Sequence, residues 1–245
     1  MSHASSIHDE GWRIILRMDR ADNFDIRDHG RSLSDYLSKQ NTRDFELKLI
    51  DSPAYLTGNS DSLSYITISG LGKFHIKAVR SPDSESVYIS EVLRKYPGLP
   101  SDDAIVTPRI IDVVEAGTEN VWLYLHVSRW VENEGTLAQR IIELWFRKHF
   151  DDIRALLQAF GAFLRGFRTR YPGLNHNDMN PSNVLLVRRQ GLMSFCLIDC
   201  AGLDDEVGDD FTTFILSLEV LAQGGFGADF LNIATSAFNS GYSSS

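Results

Sequence analysis

The chain is poor in cysteine, in positive charge and in long apolar runs. Cys196 and Cys200 are the only cysteines in 245 residues. They flank Asp199 too closely to frame a disulfide scaffold, and two thiols alone cannot complete a zinc site. A reducing compartment is therefore expected. Lysine and arginine number 24 against 33 acids, giving a net charge of -9 and a pI of about 5.2. That balance argues against general binding to nucleic acid or an anionic membrane, and leaves room for a local basic pocket. No run of about 18 apolar residues occurs, so no membrane-crossing helix is expected. Met1 to Glu10 is polar and lacks the apolar stretch of a signal peptide. Asn239 to Ser245 is rich in serine and glycine and is expected to fray.

The rest of the composition is that of an ordinary soluble globular chain, 43% apolar and 23% charged. Its length suits one two-lobed domain or two small ones. Chemistry concentrates in His176-Asn177-Asp178-Met179-Asn180-Pro181-Ser182-Asn183 and, a little further on, Asp199. Val184 to Val187 and Phe195 to Ile198 read as strands, and Arg188 to Gly191 as a tight connection between them. Such a hairpin returns Asp199 to the neighbourhood of Asn183. An amide oxygen and a carboxylate converging on one point suit Mg²⁺, a hard ion that prefers oxygen ligands and keeps several waters. Asp178 is then a free carboxylate nearby, fit to orient a hydroxyl and accept its proton. A metal clamp beside a carboxylate base is what phosphoryl transfer requires, because its catalysis is mostly positioning and charge stabilisation.

Upstream, the pattern is that of strands. Trp12 to Arg17, Asp44 to Ile50, Leu63 to Ile68, Lys73 to Val79, Val106 to Val114 and Val121 to Val127 alternate or run apolar over strand lengths. Pro82 with Ser81, Asp83 and Ser84 marks a helix start, with Glu85 in its first turn and Glu91 deeper. From Thr136 the period becomes helical. Leu137, Ile141, Leu144 and Trp145 form one stripe; Ile153, Leu156, Leu157, Phe160, Phe163, Leu164 and Phe167 form a second, which Pro172-Gly173 stops. Phe211 to Leu221 and Phe230 to Phe238 are two more helices. Asp204, Asp205, Glu206, Asp209 and Asp210 read as a solvated face or a helix cap.

His176-x-Asp178, then Asn183, then a hairpin ending in Asp199, resembles the catalytic loop and metal-binding Asp of the protein-kinase-like superfamily. His176-Asn177-Asp178 is closer to the choline-kinase and aminoglycoside-phosphotransferase branch than to protein kinases, and the compact layout is also similar to lipopolysaccharide-core (Kdo/heptose) kinases. The resemblance covers roughly residues 44 to 221. It implies an α+β, bilobal fold: an antiparallel-sheet N-lobe over 1–130, with an extension at 1–43, and a shortened, mainly helical C-lobe over 131–245. It implies ATP and Mg²⁺ as cofactors. Lys77 would contact the phosphates, with Lys73 on the same strand face as its competitor. Glu91, or else Glu85, would pair with that lysine. Backbone around Trp130 and Val131 would meet the adenine. Ser52 to Asp61, with Gly58 its one glycine, would stand where a glycine-rich loop is usual. Asp178 and His176 would belong to the catalytic loop, His176 as its support; Asn183 and Asp199 would hold the metal, and Asp209 or Asp210 would anchor the loop.

The resemblance thus implies a phosphotransferase moving the γ-phosphate of ATP to a hydroxyl on a small molecule, glycan or protein, in the cytoplasm or, for a delivered effector, in a host cytosol. Its partners would be a nucleotide and a hydroxyl-bearing acceptor, with no nucleic acid and no transmembrane segment. Cys200 replaces the aromatic that commonly follows the metal-binding Asp, and the glycine loop is weak. Both features suit a pseudokinase used as a binding module. A kinase-like enzyme that transfers AMP or another group is the third alternative.

Overall fold

The structure is a computed structural model; it describes residues 14–15, 45–49, 63–68, 72–79, 92–116, 121–204 and 208–243. Strands and helices are mixed, and the chain divides into two compact units. The first comprises residues up to Pro100 together with Thr107–Trp130; the second comprises Ser101–Val106 and Val131 onward. Glu85, Glu91, Gly58 and the Ser52 to Asp61 stretch lie outside the described residues, as does most of Trp12 to Arg17.

The first unit carries a six-stranded antiparallel sheet in the order β1-β5-β6-β4-β3-β2. Its strands are β1 (Ile14–Ile15), β2 (Phe45–Leu49), β3 (Leu63–Ile68), β4 (Gly72–Val79), β5 (Pro108–Ala116) and β6 (Val121–Arg129). Neighbours in sequence pair, apart from the β1–β5 and β4–β6 contacts. Pro108 opens β5, where the missing N–H is tolerated, and the register slips by one residue between Pro108 and Ile110. Lys77 lies near the end of β4, its backbone opposite Leu63 on one side and His126 on the other. Lys73 lies at the start of the same strand, opposite Thr67.

The second unit is helical around one hairpin. Helix α1 (Leu137–Phe146) starts at a reciprocal cap: Gln139 N donates to Thr136 Oγ1 at 3.2 Å, and Thr136 N donates to Gln139 Oε1 at 2.9 Å. Helix α2 (Phe150–Arg170) carries Asp151 and Asp152 in its first turn, where the helix dipole favours acids. Ile153, Leu156, Leu157, Phe160, Leu164 and Phe167 are buried along it, so the 3.6-residue stripe is its core face. Strands β7 (Val184–Arg189) and β8 (Leu192–Leu197) form the hairpin, joined by Gln190 and Gly191 at φ 51° and 81°. Two left-handed residues make the turn that matches strand twist, which is why it is two residues tighter than the sequence suggests. Arg188, exposed, pairs with Glu134 at 2.5 Å.

Helices α3 (Asp210–Leu221) and α4 (Gly227–Ser243) complete the unit. The helical stretch Asp210–Ser243 is long and apolar enough by composition to cross a membrane. It is two helices of 12 and 17 residues, however, broken by a widened turn with Gly225 at φ 124°. The first is shorter than the roughly 17–25 residues of a membrane span, and the second lies at the lower limit of that range. Phe160, Phe214 and Phe238 meet at centroid distances of 4.7, 4.6 and 5.9 Å, and Phe195 from β8 reaches Phe160 at 5.3 Å. This cluster ties the hairpin to α2, α3 and α4.

The tail is a correction to the sequence reading. It is helical to Ser243 rather than frayed from Asn239, and the last helix is longer than Phe230 to Phe238. Its glycine is there for contact. A Cβ on Gly241 would lie 1.8 Å from Gln158 O, and one on Gly161 of α2 would lie 2.3 Å from Phe238 O. Backbones this close exclude any side chain. Residues 101–106 are stapled to α2's end. Asp102 accepts from Tyr171 Oη (2.5 Å), Arg170 Nη1 (2.6 Å) and Ala104 N (2.7 Å). Burial works to raise the Asp102 carboxyl, and these three donors together outweigh it and hold it below its ordinary value.

Two outcomes follow from these contacts. Gly161→Ala should lower stability to urea by about 1–3 kcal/mol through overpacking. Gly166→Ala, on the same helix but with nothing within 4 Å of its Cβ position, should raise it by roughly 0.5–1 kcal/mol. Asp102, with its folded pKa depressed, gives stability present above its unfolded pKa of about 3.9 and lost as pH falls through the folded value. Tyr171, pushed up to about 12 by burial and then by the Asp102 carboxylate, gives stability present below pH 10 and lost as pH rises toward 12. Urea titrations across pH should show a flattened acid limb in Asp102→Asn and a flattened alkaline limb in Tyr171→Phe.

Candidate active site

The site grows from one buried carboxylate. Asp210, the first residue of α3, is fully buried. It accepts from His176 N at 2.8 and 2.9 Å and from Asn177 N at 3.0 Å. Two consecutive backbone donors therefore aim at one side chain, and the loop carrying Asp178 is fixed at its start. Asp209 beside it caps the helix, accepting from Phe211 N at 3.2 Å, and pairs with Arg168 at 3.2 Å. Of the acidic run, then, Asp209 is a cap and Asp210 an internal anchor. Nothing in the sequence separated the two.

His176 is fully buried. Its Nε2 lies 2.7 Å from Ile198 O; a carbonyl only accepts, so Nε2 donates. Nδ1 is buried without a partner among the described residues. The ring has no exposed surface and ties the loop to Ile198, the residue before Asp199. Asn175 adds a backbone pair with Asp204, donating at 2.8 Å and accepting at 3.1 Å.

Asp178 is exposed, while Met179 and Pro181 on the far side of the loop are buried and pin it. Both carboxylate oxygens accept from amides: Oδ1 from Asn180 Nδ2 at 3.0 Å, Oδ2 from Asn183 Nδ2 at 2.8 Å. Asn183 Nδ2 also donates to the Asp178 carbonyl at 3.0 Å. Because nitrogen faces Asp178, the amide oxygen of Asn183 is the atom left for an ion. Asn183 O in turn accepts from Ile198 N at 2.9 Å, and Val184 pairs with Leu197, so the hairpin register sets Asp199 one residue past Asn183's backbone partner. Asp199 is exposed and adopts the left-handed conformation, φ 58° and ψ 59°. Asp tolerates this region better than most residues, and such outliers gather at functional sites.

The donor set fits Mg²⁺: one amide oxygen and one carboxylate, both hard. Among the described residues no group of three or more His, Cys, Asp or Glu forms a metal cluster. An ion held by Asn183 and Asp199 would therefore complete its shell with water and phosphate oxygens, as Mg²⁺ usually does. Cys200 is buried after Asp199, and Cys196 and Cys200 form no disulfide. Val131 packs on a cluster of Val106, Val187 and Cys196, while Trp130 is half-buried at the end of the first unit.

No family model matches the chain, and no curated protein matches it. Among solved structures it is similar to the BubR1 kinase domain, at 18% identity and a TM-score of 0.46. That likeness covers 66% of this chain, and the chain spans 47% of the length of that domain.

Asp210→Ala should strand two backbone N–H groups and cost on the order of 1–3 kcal/mol for each that stays dry. Asp209→Ala should cost about 1 kcal/mol, the loss of a cap. Urea unfolding of both variants checks the contrast.

Proposed function

We propose that the chain is an ATP- and Mg²⁺-dependent phosphotransferase of protein-kinase-like fold that acts on a hydroxyl acceptor. The observation that carries this reading is the grip of Asn183 on Asp178, with the Asn183 amide oxygen turned away from it and Asp199 next to Asn183's backbone partner. The metal, held through Asn183 and Asp199, would supply charge neutralisation for the phosphates.

Asp178 has the exposure a base needs, and its carboxylate is oriented by two amides. It would direct the acceptor hydroxyl and take its proton as the new bond from that oxygen to the γ-phosphorus forms and the bond to the bridging oxygen breaks. His176 and Asp210 hold the loop, so the base need not be reorganised during the reaction. Lys77 on β4 is assigned to the α- and β-phosphates by its place in the Phe74-His75-Ile76-Lys77-Ala78-Val79 pattern, with Glu91 as its pairing acid. Backbone at Trp130 and Val131 is assigned to the adenine, and the Gly58 loop to the phosphates.

Asp178→Ala should lower ATP-dependent phosphate transfer by about two to four orders of magnitude, the usual contribution of a general base. Asp199→Ala should remove Mg²⁺-dependent nucleotide binding, read by thermal shift with and without Mg²⁺. Transfer retained in both variants overturns the mechanism. Mg²⁺-dependent binding with no transfer from wild type would make this a binding module, and a product mass reporting added AMP would make it a nucleotidyl transferase.

A further inference from the structure

Asn177, between the support His176 and the base Asp178, has a conformation and contacts of its own. Its φ is 62°, a left-handed value that costs most side chains and costs Asn least after Gly. Its Nδ2 donates to Gly202 O at 2.9 Å. Its Oδ1 lies 1.7 Å from where a Cβ on Gly208 would stand, so the amide fills space that only a glycine at 208 leaves open. Gly208 itself has φ 139°, and a Cβ on Gly202 would come within 3.1 Å of His176 O. One side chain from the loop before Asp178 thus touches the backbone at two points beyond Asp199, and no side chain intervenes at either. Two residues earlier, Asn175 pairs by backbone with Asp204.

We propose that Asn177 is a positioning residue: its amide latches the backbone at Gly202 and Gly208 to the loop of Asp178, and so fixes the spacing between the base Asp178 and the metal-binding Asp199. The roles of the two carboxylates rest on the phosphotransferase reading above; the latch itself rests on the contacts. The latch matters to the chemistry because a displacement of about 1 Å between reacting groups costs on the order of a hundredfold in rate. Asp199 itself sits in a left-handed turn two residues past the end of β8. Asn177 supplies the fixed reference on the other side.

The test uses the full chain and two single variants. Asn177→Gly keeps the left-handed backbone and removes the amide. Gly208→Ala places a methyl where the Asn177 oxygen sits. In both, the Leu203 and Asp204 amides, which donate to Cys200 O and Asn175 O at 3.0 and 3.1 Å, should exchange with solvent about tenfold faster, while amides of α2 keep their wild-type rates. The Mg²⁺ concentration for half-maximal ATP binding should rise about five- to tenfold, with metal-free nucleotide affinity unchanged. General loosening of the fold would not separate those two affinities. The double variant should behave no worse than Gly208→Ala alone, because both changes break one contact. Wild-type exchange at Leu203 and Asp204 in Asn177→Gly overturns the latch. So does faster exchange with an unmoved Mg²⁺ requirement. If wild-type protein binds ATP without any Mg²⁺ dependence, the phosphotransferase reading falls instead, and exchange at Leu203 and Asp204 alone decides the latch.

Discussion

A carboxylate removed from water must find its donors within the protein or lose its charge. Asp210 finds them in two adjacent backbone amides, those of His176 and Asn177. The loop that carries Asp178 hangs from this contact. It sets where the loop begins, and the loop's other restraints act on a chain already anchored: the buried Met179, the His176 ring on Ile198, and the amides of Asn180 and Asn183. The arrangement is economical in residues. A single acid at the first position of a helix satisfies backbone groups that no strand or helix would otherwise pair.

The hydrophobic core then transmits position rather than chemistry. Phe195 places β8 against Phe160, and β8 delivers Ile198 and Asp199. From the opposite edge Ala104 and Val106 bracket Leu197: Leu197 N donates to Ala104 O and Val106 N donates to Leu197 O, each at 2.8 Å. Asp102 holds that short segment to the end of α2. The end of β8, two residues before the exposed Asp199, is thus gripped along both edges, by β7 and by residues 104–106. An exposed acid just past a rigid strand end is held in place without being buried.

Much of the second unit was legible from the chain alone, because its signals are local. The stripes of α1 and α2 follow helical period. The hairpin's length follows from two apolar runs and Gly191, and its register brought Asp199 near Asn183. The contacts that sequence did not disclose are the non-local ones. Asp210 stands in a run of five acids, and only the fold distinguishes the buried one. The 68-residue reach from Arg170 to Asp102 leaves no trace in either segment. Asn177 reads as a polar filler until its φ and its fit against Gly208 are known. The Ser/Gly composition near the end suggested loose chain, whereas Gly241 is the close point of a helix crossing. In the sheet, alternation marked the strands, while Glu85, Glu91 and Gly58 fall outside what the structure describes.

The crossing of α2 and α4 has a practical side. Tyr242, one residue before the end of α4, accepts from Arg168 through its hydroxyl at 3.1 Å and packs tilted against Phe211 at a centroid distance of 4.8 Å. Arg168 holds Asp209, and Asp209 adjoins Asp210, the anchor of the loop that carries Asp178. Anyone shortening the protein at what composition marks as a dispensable serine tail would cut the strut that braces Asp209, some thirty residues upstream in sequence and next door in space.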